Sequence, residues 1–226
     1  MRHYVQLFIR LKGGTNQYNR VQAPHRPILL LAVMDLFRQG HLTDQRIYLD
    51  HVLVDTFHRL WDELVLTKHV AGIHLPFFHM QSQPFWKLVA KPGETIGKTS
   101  KNSARSFGNL QKTVDYAEID EELALLFSHP MQREILNSKV IEAHVPHAQI
   151  DHLLNGISLV DEIASFTREP APQYRNRLER LRKRMQSITP DEFETLRNAA
   201  FRKNCLKNYE KTCAISQLCV RDDRNR

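Results

Sequence analysis

A nearly continuous apolar stretch, residues 27–38 (PILLLAVMDLFR), requires the chain to fold around a buried helix. A helix that is apolar on all sides has to be covered by other parts of the protein. Proline suits the first turn of such a helix, and Gly40 suits its end. With 226 residues, the chain is long enough to supply that cover.

Hydrophobic periodicity predicts further helices on both sides of this stretch. Residues 4–12 predict a short amphipathic helix that ends at Gly13-Gly14. Asp50 is placed to cap a helix whose apolar residues recur at helical spacing, namely Val52, Leu53, Phe57, Leu60, Trp61, Leu64 and Val65. Later helices are predicted over residues 115–128, 130–143, 149–166, 175–186 and 190–208.

The region 70–95 has a different character, because Gly72, Pro76, Pro84, Pro92 and Gly93 interrupt it. Its apolar runs PFFHM (76–80) and FWKLV (85–89) predict two short strands, and the intervening SQP predicts the turn of a β-hairpin. The expected fold class is therefore α+β and mainly helical. It is a helical bundle with a small antiparallel β-hairpin or sheet, followed by a basic helical linker.

The net charge of +7 is unevenly distributed. Residues 1–114 carry 15 basic and 7 acidic side chains, a net of +8. Residues 115–170 carry 3 basic and 11 acidic side chains, a net of −8. Residues 171–226 carry 14 basic and 7 acidic side chains, a net of +7. Basic regions attract polyanions through phosphate neutralisation, which favours a nucleic-acid partner. Solvated helix faces account for such charge equally well, so charge alone leaves both interpretations open.

The expected cellular compartment follows from apolar run lengths, the N-terminal sequence and the positions of the cysteines. No apolar run approaches the ~18 residues that span a bilayer, and the short apolar stretch near the N-terminus does not match a signal peptide. The three cysteines, Cys205, Cys213 and Cys219, all lie near the C-terminus, unlike a disulfide framework. We therefore expect a cytoplasmic protein without a membrane partner.

The sequence offers little support for metal or nucleotide chemistry. Its 12 histidines have no recognised ligand spacing, and neither an HExxH motif nor a CxxC pair occurs. GETIGKTS (93–100) resembles a phosphate loop but has one residue too few between its glycines. No serine, histidine and acid arrangement indicates a nucleophile. We predict neither a metal nor a cofactor for this chain.

Three segments carry the strongest functional indications. PHRP (24–27) places His25 and Arg26 at a helix N-terminus, where backbone N–H groups attract phosphate. HLPFFHM (74–80) surrounds a proline with large apolar side chains, and KTSKNSAR (98–105) offers many donors to phosphates or base edges. Structural alternatives remain open for each segment: an ordinary helix start, a core strand and a solvated loop.

Together with FWKLV, these segments resemble the sulfur-binding domain of phosphorothioation-dependent HNH restriction endonucleases. In that family a helical domain with a small sheet recognises DNA in which sulfur replaces one non-bridging phosphate oxygen. The resemblance covers about residues 1–150. FRKNCLKNYEKTCAISQ (201–217) is similar to the opening of the HNH module, with Gln217 at the expected glycine. The implied organisation is a sulfur-binding domain over 1–166, a basic helical linker over 167–200 and a truncated HNH start over 201–226.

The resemblance also implies site residues. The sulfur pocket would comprise Arg26, Leu75, Pro76 and His79, with Leu75 where an aromatic residue is frequent and His79 where a small one can stand. The contacts to DNA backbone and bases would come from His25, Lys98, Thr99, Ser100, Lys101, Asn102, Ser103 and Arg105.

The expected function is recognition of double-stranded phosphorothioate DNA, as the targeting part of a type IV restriction endonuclease in bacterial defence. Cleavage is not expected from this chain. A divalent metal is expected only where the HNH module is complete. Two alternatives stay open: an HNH nuclease active by itself, and a helix-turn-helix-like regulator indifferent to sulfur. The sequence leaves a homodimer open and does not specify the bases around the sulfur or its stereoisomer.

Overall fold

The computed structural model describes residues 1–11, 14–15, 22–65, 69–97, 104, 106–145 and 188–208. The helices are α1 (Arg2–Ile9), α2 (His25–Gln39), α3 (His51–Leu64), α4 (His74–His79), α5 (Phe107–Thr113), α6 (Glu121–Ser128), α7 (Pro130–His144) and α8 (Pro190–Asn208), with a 3₁₀ turn at Met80–Ser82. The strands are β1 (Gly14–Thr15), β2 (Gln22–Ala23), β3 (Arg46–Ile47), β4 (Trp86–Ala90) and β5 (Val114–Ile119). The expected α+β, mainly helical fold is confirmed.

The apolar stretch forms the central helix, as predicted. Helix α2 begins at His25, two residues before the expected start, and ends at Gly40, whose φ of 75° is left-handed. It packs against α3, α4, α6 and α7. Its buried residues are Pro27, Ile28, Leu29, Leu30, Leu31, Ala32, Val33, Met34, Leu36 and Phe37.

Helix α3 also begins as predicted. The Asp50 carboxylate accepts hydrogen bonds from the backbone N–H groups of Val52 and Leu53, both at 3.0 Å. Two of the amides that lack partners within the helix are thereby satisfied. The predicted apolar positions Leu53, Phe57 and Trp61 are buried against the core.

The predicted β-hairpin is wrong. Residues 76–80 belong to α4 and the 3₁₀ turn, while β4, predicted as FWKLV, pairs antiparallel with β5. Strand β5 also pairs antiparallel with β3, which gives the sheet order β3-β5-β4. Residues 115–119, predicted as the first part of a helix, lie in β5, where Ala117 and Ile119 are buried on one face. The helix predicted there begins only at Glu121.

Helix α8 packs on the same core. Leu196 and Ala200 are buried in the hydrophobic cluster, and the helix contacts α3 and α5. It runs without interruption from residue 190 to 208, through the position where the sequence predicts the linker to meet an HNH module. Residues 190–200 are therefore packed against the predicted recognition domain.

Several predictions concern residues that lie outside the described ranges. These are the helix over 149–166, the part of the linker before residue 188, which includes the basic helix over 175–186, and the tail after residue 208. In the part of the chain that is described, no helix combines the length and the apolar character needed to cross a bilayer.

Candidate nucleic-acid interface

Arg26 in the first turn of α2 lies next to the end of α4. Its Nη1 donates a hydrogen bond to Ser82 Oγ at 3.5 Å, and Ser82 Oγ in turn donates to the His79 carbonyl at 2.9 Å. The Arg26 charge also acts on the His79 ring. We call Arg26, Leu75, His79 and Ser82 the α2–α4 surface.

Helix α4 presents a mixed set of side chains. Phe77 and Phe78 are buried, whereas Leu75 is 44 % exposed. Leu75 and His79 are one turn apart and therefore share a side of the helix. Pro76 is buried. The apolar group available to a ligand at this surface is thus the Leu75 side chain rather than the Pro76 ring.

His25 supports the segment that leads into α4. Its Nε2–H donates to the Val70 carbonyl at 2.8 Å, because a carbonyl can only accept. Its ring lies against that of Trp61 with the centroids 4.4 Å apart. The side chain is half-buried and braces the chain just before α4.

Burial sets the charge state of the histidines around this surface. It lowers the pKa of His25, His74 and His79, and the Arg26 charge lowers the pKa of His79 further. These rings are therefore neutral at pH 7. Burial lowers the pKa of Arg26 as well, but a guanidinium stays protonated in proteins. Arg26 supplies the permanent positive charge of the α2–α4 surface.

The N-terminus of α2 adds to this positive potential. Pro24 provides no side-chain cap, and the first turn, all of which is described, contains no acidic residue. The positive end of the helix dipole is therefore not neutralised by a carboxylate of that turn. Arg26 and the helix end act in the same direction, and both favour an anionic group beside Leu75 and His79.

The structure brings together part of the predicted site. Arg26 hydrogen-bonds to Ser82 and lies near His79. Leu75 shares a side of α4 with His79, whereas Pro76 is buried. The predicted contacts Lys98, Thr99, Ser100, Lys101, Asn102, Ser103 and Arg105 lie outside the described residues. Sequence reasoning missed Ser82, because the SQP segment that contains it was interpreted as a hairpin turn.

Comparison with known proteins adds no identification. No protein-family model matches the chain, and a search of curated proteins finds no match either. Among the described residues, no three His, Cys, Asp or Glu side chains are grouped as metal ligands.

Proposed function

We propose that this chain binds double-stranded DNA carrying a phosphorothioate and that the α2–α4 surface receives the modified phosphate. The observation that carries the proposal is the position of Arg26 beside His79 and Ser82, with Leu75 exposed one helical turn earlier. The Arg26 guanidinium would then contact the negative charge of the DNA phosphorothioate. The exposed Leu75 side chain would contact its weakly hydrated sulfur.

Discrimination between sulfur and oxygen would come from the apolar side of this surface. Sulfur is larger and more polarisable than oxygen and loses less hydration when it is buried. Contact with Leu75 would bury a few tens of Å², which is worth on the order of 1 kcal/mol at ~25 cal/mol per Å². We therefore expect a preference of roughly fivefold from this contact, superimposed on general DNA affinity.

The general affinity would come from charge. Arg26 and the α2 N-terminus attract phosphate, and the sequence KTSKNSAR (98–105) would add basic and hydrogen-bonding residues. Phosphate contacts do not distinguish sequences, so they position the duplex while Leu75 distinguishes the modification. In keeping with the resemblance of residues 201–217 to the start of an HNH module, we propose recognition as this chain's role in modification-dependent restriction.

A competition between two duplexes of identical sequence tests the proposal. One carries a single phosphorothioate and the other none, and fluorescence anisotropy reports both dissociation constants. Leu75→Ala should reduce the preference for sulfur with little change in binding to ordinary DNA. Leu125→Ala, which alters another exposed leucine, on α6, is the matched control and should keep the preference.

Arg26→Gln gives the complementary result. It should weaken binding to both duplexes and reduce the slope of log affinity against log salt by about 1, because one phosphate contact is lost. Equal binding of both duplexes by the unaltered protein would contradict the proposal and favour a regulator indifferent to sulfur. Equal losses for both duplexes in Leu75→Ala would contradict the assignment of the apolar contact.

A further inference from the structure

The first turn of α8 reaches the N-termini of two other helices through its carboxylates. Glu192 Oε1 accepts a hydrogen bond from the backbone N–H of Ile73, at the start of α4, at 3.0 Å. Asp191 Oδ2 accepts one from the backbone N–H of Gly108, in the first turn of α5, also at 3.0 Å. Two adjacent residues of α8 thus hold two separate short helices.

Glu192 is fully buried, at 0 % exposure, and its second oxygen is also occupied. Oε2 accepts from the Thr189 backbone N–H at 3.0 Å and from His58 Nε2–H at 3.2 Å. Thr189 Oγ1 accepts from the Glu192 N–H at 3.3 Å, which completes a capping box. A buried carboxylate is costly without such partners, so the position of this side chain is tightly specified.

Gly108 is shaped to admit the Asp191 carboxylate. A Cβ at this position would lie 3.0 Å from Asp191 Oδ2 and 3.5 Å from its Cγ. Any side chain there would push against the carboxylate that the backbone N–H binds. The absence of a Cβ therefore allows α8 to approach α5 this closely.

These contacts connect α8 to the elements of the proposed interface. Ile73 immediately precedes the helix that carries Leu75 and His79, and Gly108 follows the basic segment 98–105 in the sequence. A shift of the first turn of α8 would move the start of α4, and the reverse also holds. Because α8 continues as one helix to Asn208, such a shift reaches the chain beyond the domain.

We propose that Glu192 and Asp191 are positioning residues that couple DNA binding at the α2–α4 surface to helix α8. The inference rests on the proposed DNA-binding function. Coupling free energies are reciprocal, so DNA should stabilise the first turn of α8 by the same factor by which that turn improves DNA affinity. Helix α8 would in this way report an occupied interface to whatever follows it in the chain.

The test uses the full chain and the two duplexes described above. Glu192→Gln keeps the side-chain shape but replaces one acceptor oxygen by a donor, and Asp191→Asn does the same beside Gly108. Glu194→Gln is the matched control, because Glu194 is an exposed residue of the same helix that contacts Arg197. Dissociation constants are measured at a temperature at which circular dichroism shows each variant folded.

We expect Glu192→Gln to weaken binding of the phosphorothioate duplex by about fivefold or more, the lower end of usual coupling factors, and Glu194→Gln to bind like the unaltered protein. Hydrogen exchange supplies the readout that a merely structural role would not change. DNA should slow exchange of the Ile73 and Thr189 amides in the unaltered protein and fail to do so in Glu192→Gln. If Glu192→Gln does not fold, Asp191→Asn provides the test of coupling. DNA affinity and hydrogen exchange of the Gly108 amide are then measured in that variant.

The possible failures are distinguishable. Sulfur-selective binding by the unaltered protein, with unchanged affinity in the foldable variants and no effect of DNA on the α8 amides, would overturn the coupling and leave the proposed function standing. Binding of neither duplex by the unaltered protein would overturn both proposals.

Discussion

At the N-terminus of α3, Asp50 satisfies two backbone amides that water would otherwise have to solvate. Asp50→Ala should lower the free energy of unfolding by about 1 kcal/mol, the usual cost of losing an N-cap. Urea titration followed by circular dichroism measures this. Asp50→Asn is the control, because asparagine caps as well as aspartate and should restore most of the stability. Equal losses in both variants would contradict the capping role.

Individual residues differ in how far their roles could be predicted from sequence. Asp50 was predicted correctly because capping is local, with the carboxylate bonding amides two and three positions away. From the sequence, Glu192 is only an acidic residue in the first turn of the helix predicted over 190–208. Its burial against His58 depends on a contact across 134 residues, for which one sequence carries no signal. Ser82 was missed because its segment was interpreted as a hairpin turn, and a partner 56 positions away, Arg26, gives no local signal against that interpretation.

At the scale of elements, the periodic helices and strand β4 were predictable, whereas α4 and β5 were not. HLPFFHM is rich in aromatic residues, which favours a strand, but its adjacent residues Phe77 and Phe78 are both buried. Successive strand side chains point to opposite faces, whereas a short helix lying in the core can bury both. The Glu192 carboxylate stabilises the helix by accepting a hydrogen bond from the Ile73 N–H at the start of α4. Tertiary contacts therefore decided the structure of this element.

Strand β5 shows the same effect. Residues 115–119 were predicted to open an acidic helix, but Ala117 is buried between the partners Ile47 on β3 and Leu88 on β4. β4 pairs along β5 and β3 pairs at Ala117 and Glu118, so backbone groups there find partners on both sides. Both partner strands are far away in the sequence, so local propensity could not indicate the middle strand of the sheet.

The attachment of α4 to the sheet gives a stability prediction. Phe77 is fully buried and packs edge-on against Trp86 of β4, with ring centroids 5.4 Å apart. Phe77→Ala should cost about 3–5 kcal/mol, the range for losing a buried aromatic side chain. Phe77→Leu retains most of the volume and serves as the control, with a clearly smaller loss. Guanidinium titration measures both, and a loss below about 1 kcal/mol for Phe77→Ala would contradict the packing described here.

At the scale of the whole molecule, α8 links distant parts of the chain, since it contacts α3 and α5. Among the described residues, it brings 190–200 onto a core otherwise built from residues within 1–145, and it does so through buried polar contacts as well as Leu196 and Ala200. Buried titratable groups make the stability of the folded state depend on pH, because their hydrogen bonds form in only one charge state.

The histidines next to the α2–α4 surface make that sensitivity predictable in sign. Burial lowers the pKa of His25, His74 and His79 below the ordinary value of 6.5, although Glu192 and Asp191 partly oppose it at His74. His25 faces His69 and His74, and His79 faces Arg26. A proton added to His25 or His79 would therefore also be repelled by positive charge on these groups. The unfolded chain then binds more protons than the folded protein as the pH falls below 6.5. The stability contributed by the neutral rings is therefore complete above that pH and is lost as the pH falls.

Glu192 extends the dependence to lower pH. Burial raises the pKa of its carboxyl, but the hydrogen bond and charge of His58 and the N–H groups of Thr189 and Ile73 outweigh burial, so the pKa lies below the ordinary 4.5. Its contribution is present above pH 4.5 and is lost as the pH falls further. Melting temperatures at constant ionic strength should consequently fall first between pH 7.5 and pH 5.5, the range in which histidines titrate, and again below about pH 4.5. His79→Gln, which removes one of the three rings whose pKa is lowered by burial, should flatten the first fall and leave the second. A melting temperature that rises from pH 7.5 to pH 5.5 would contradict neutral, half-buried histidines beside the interface.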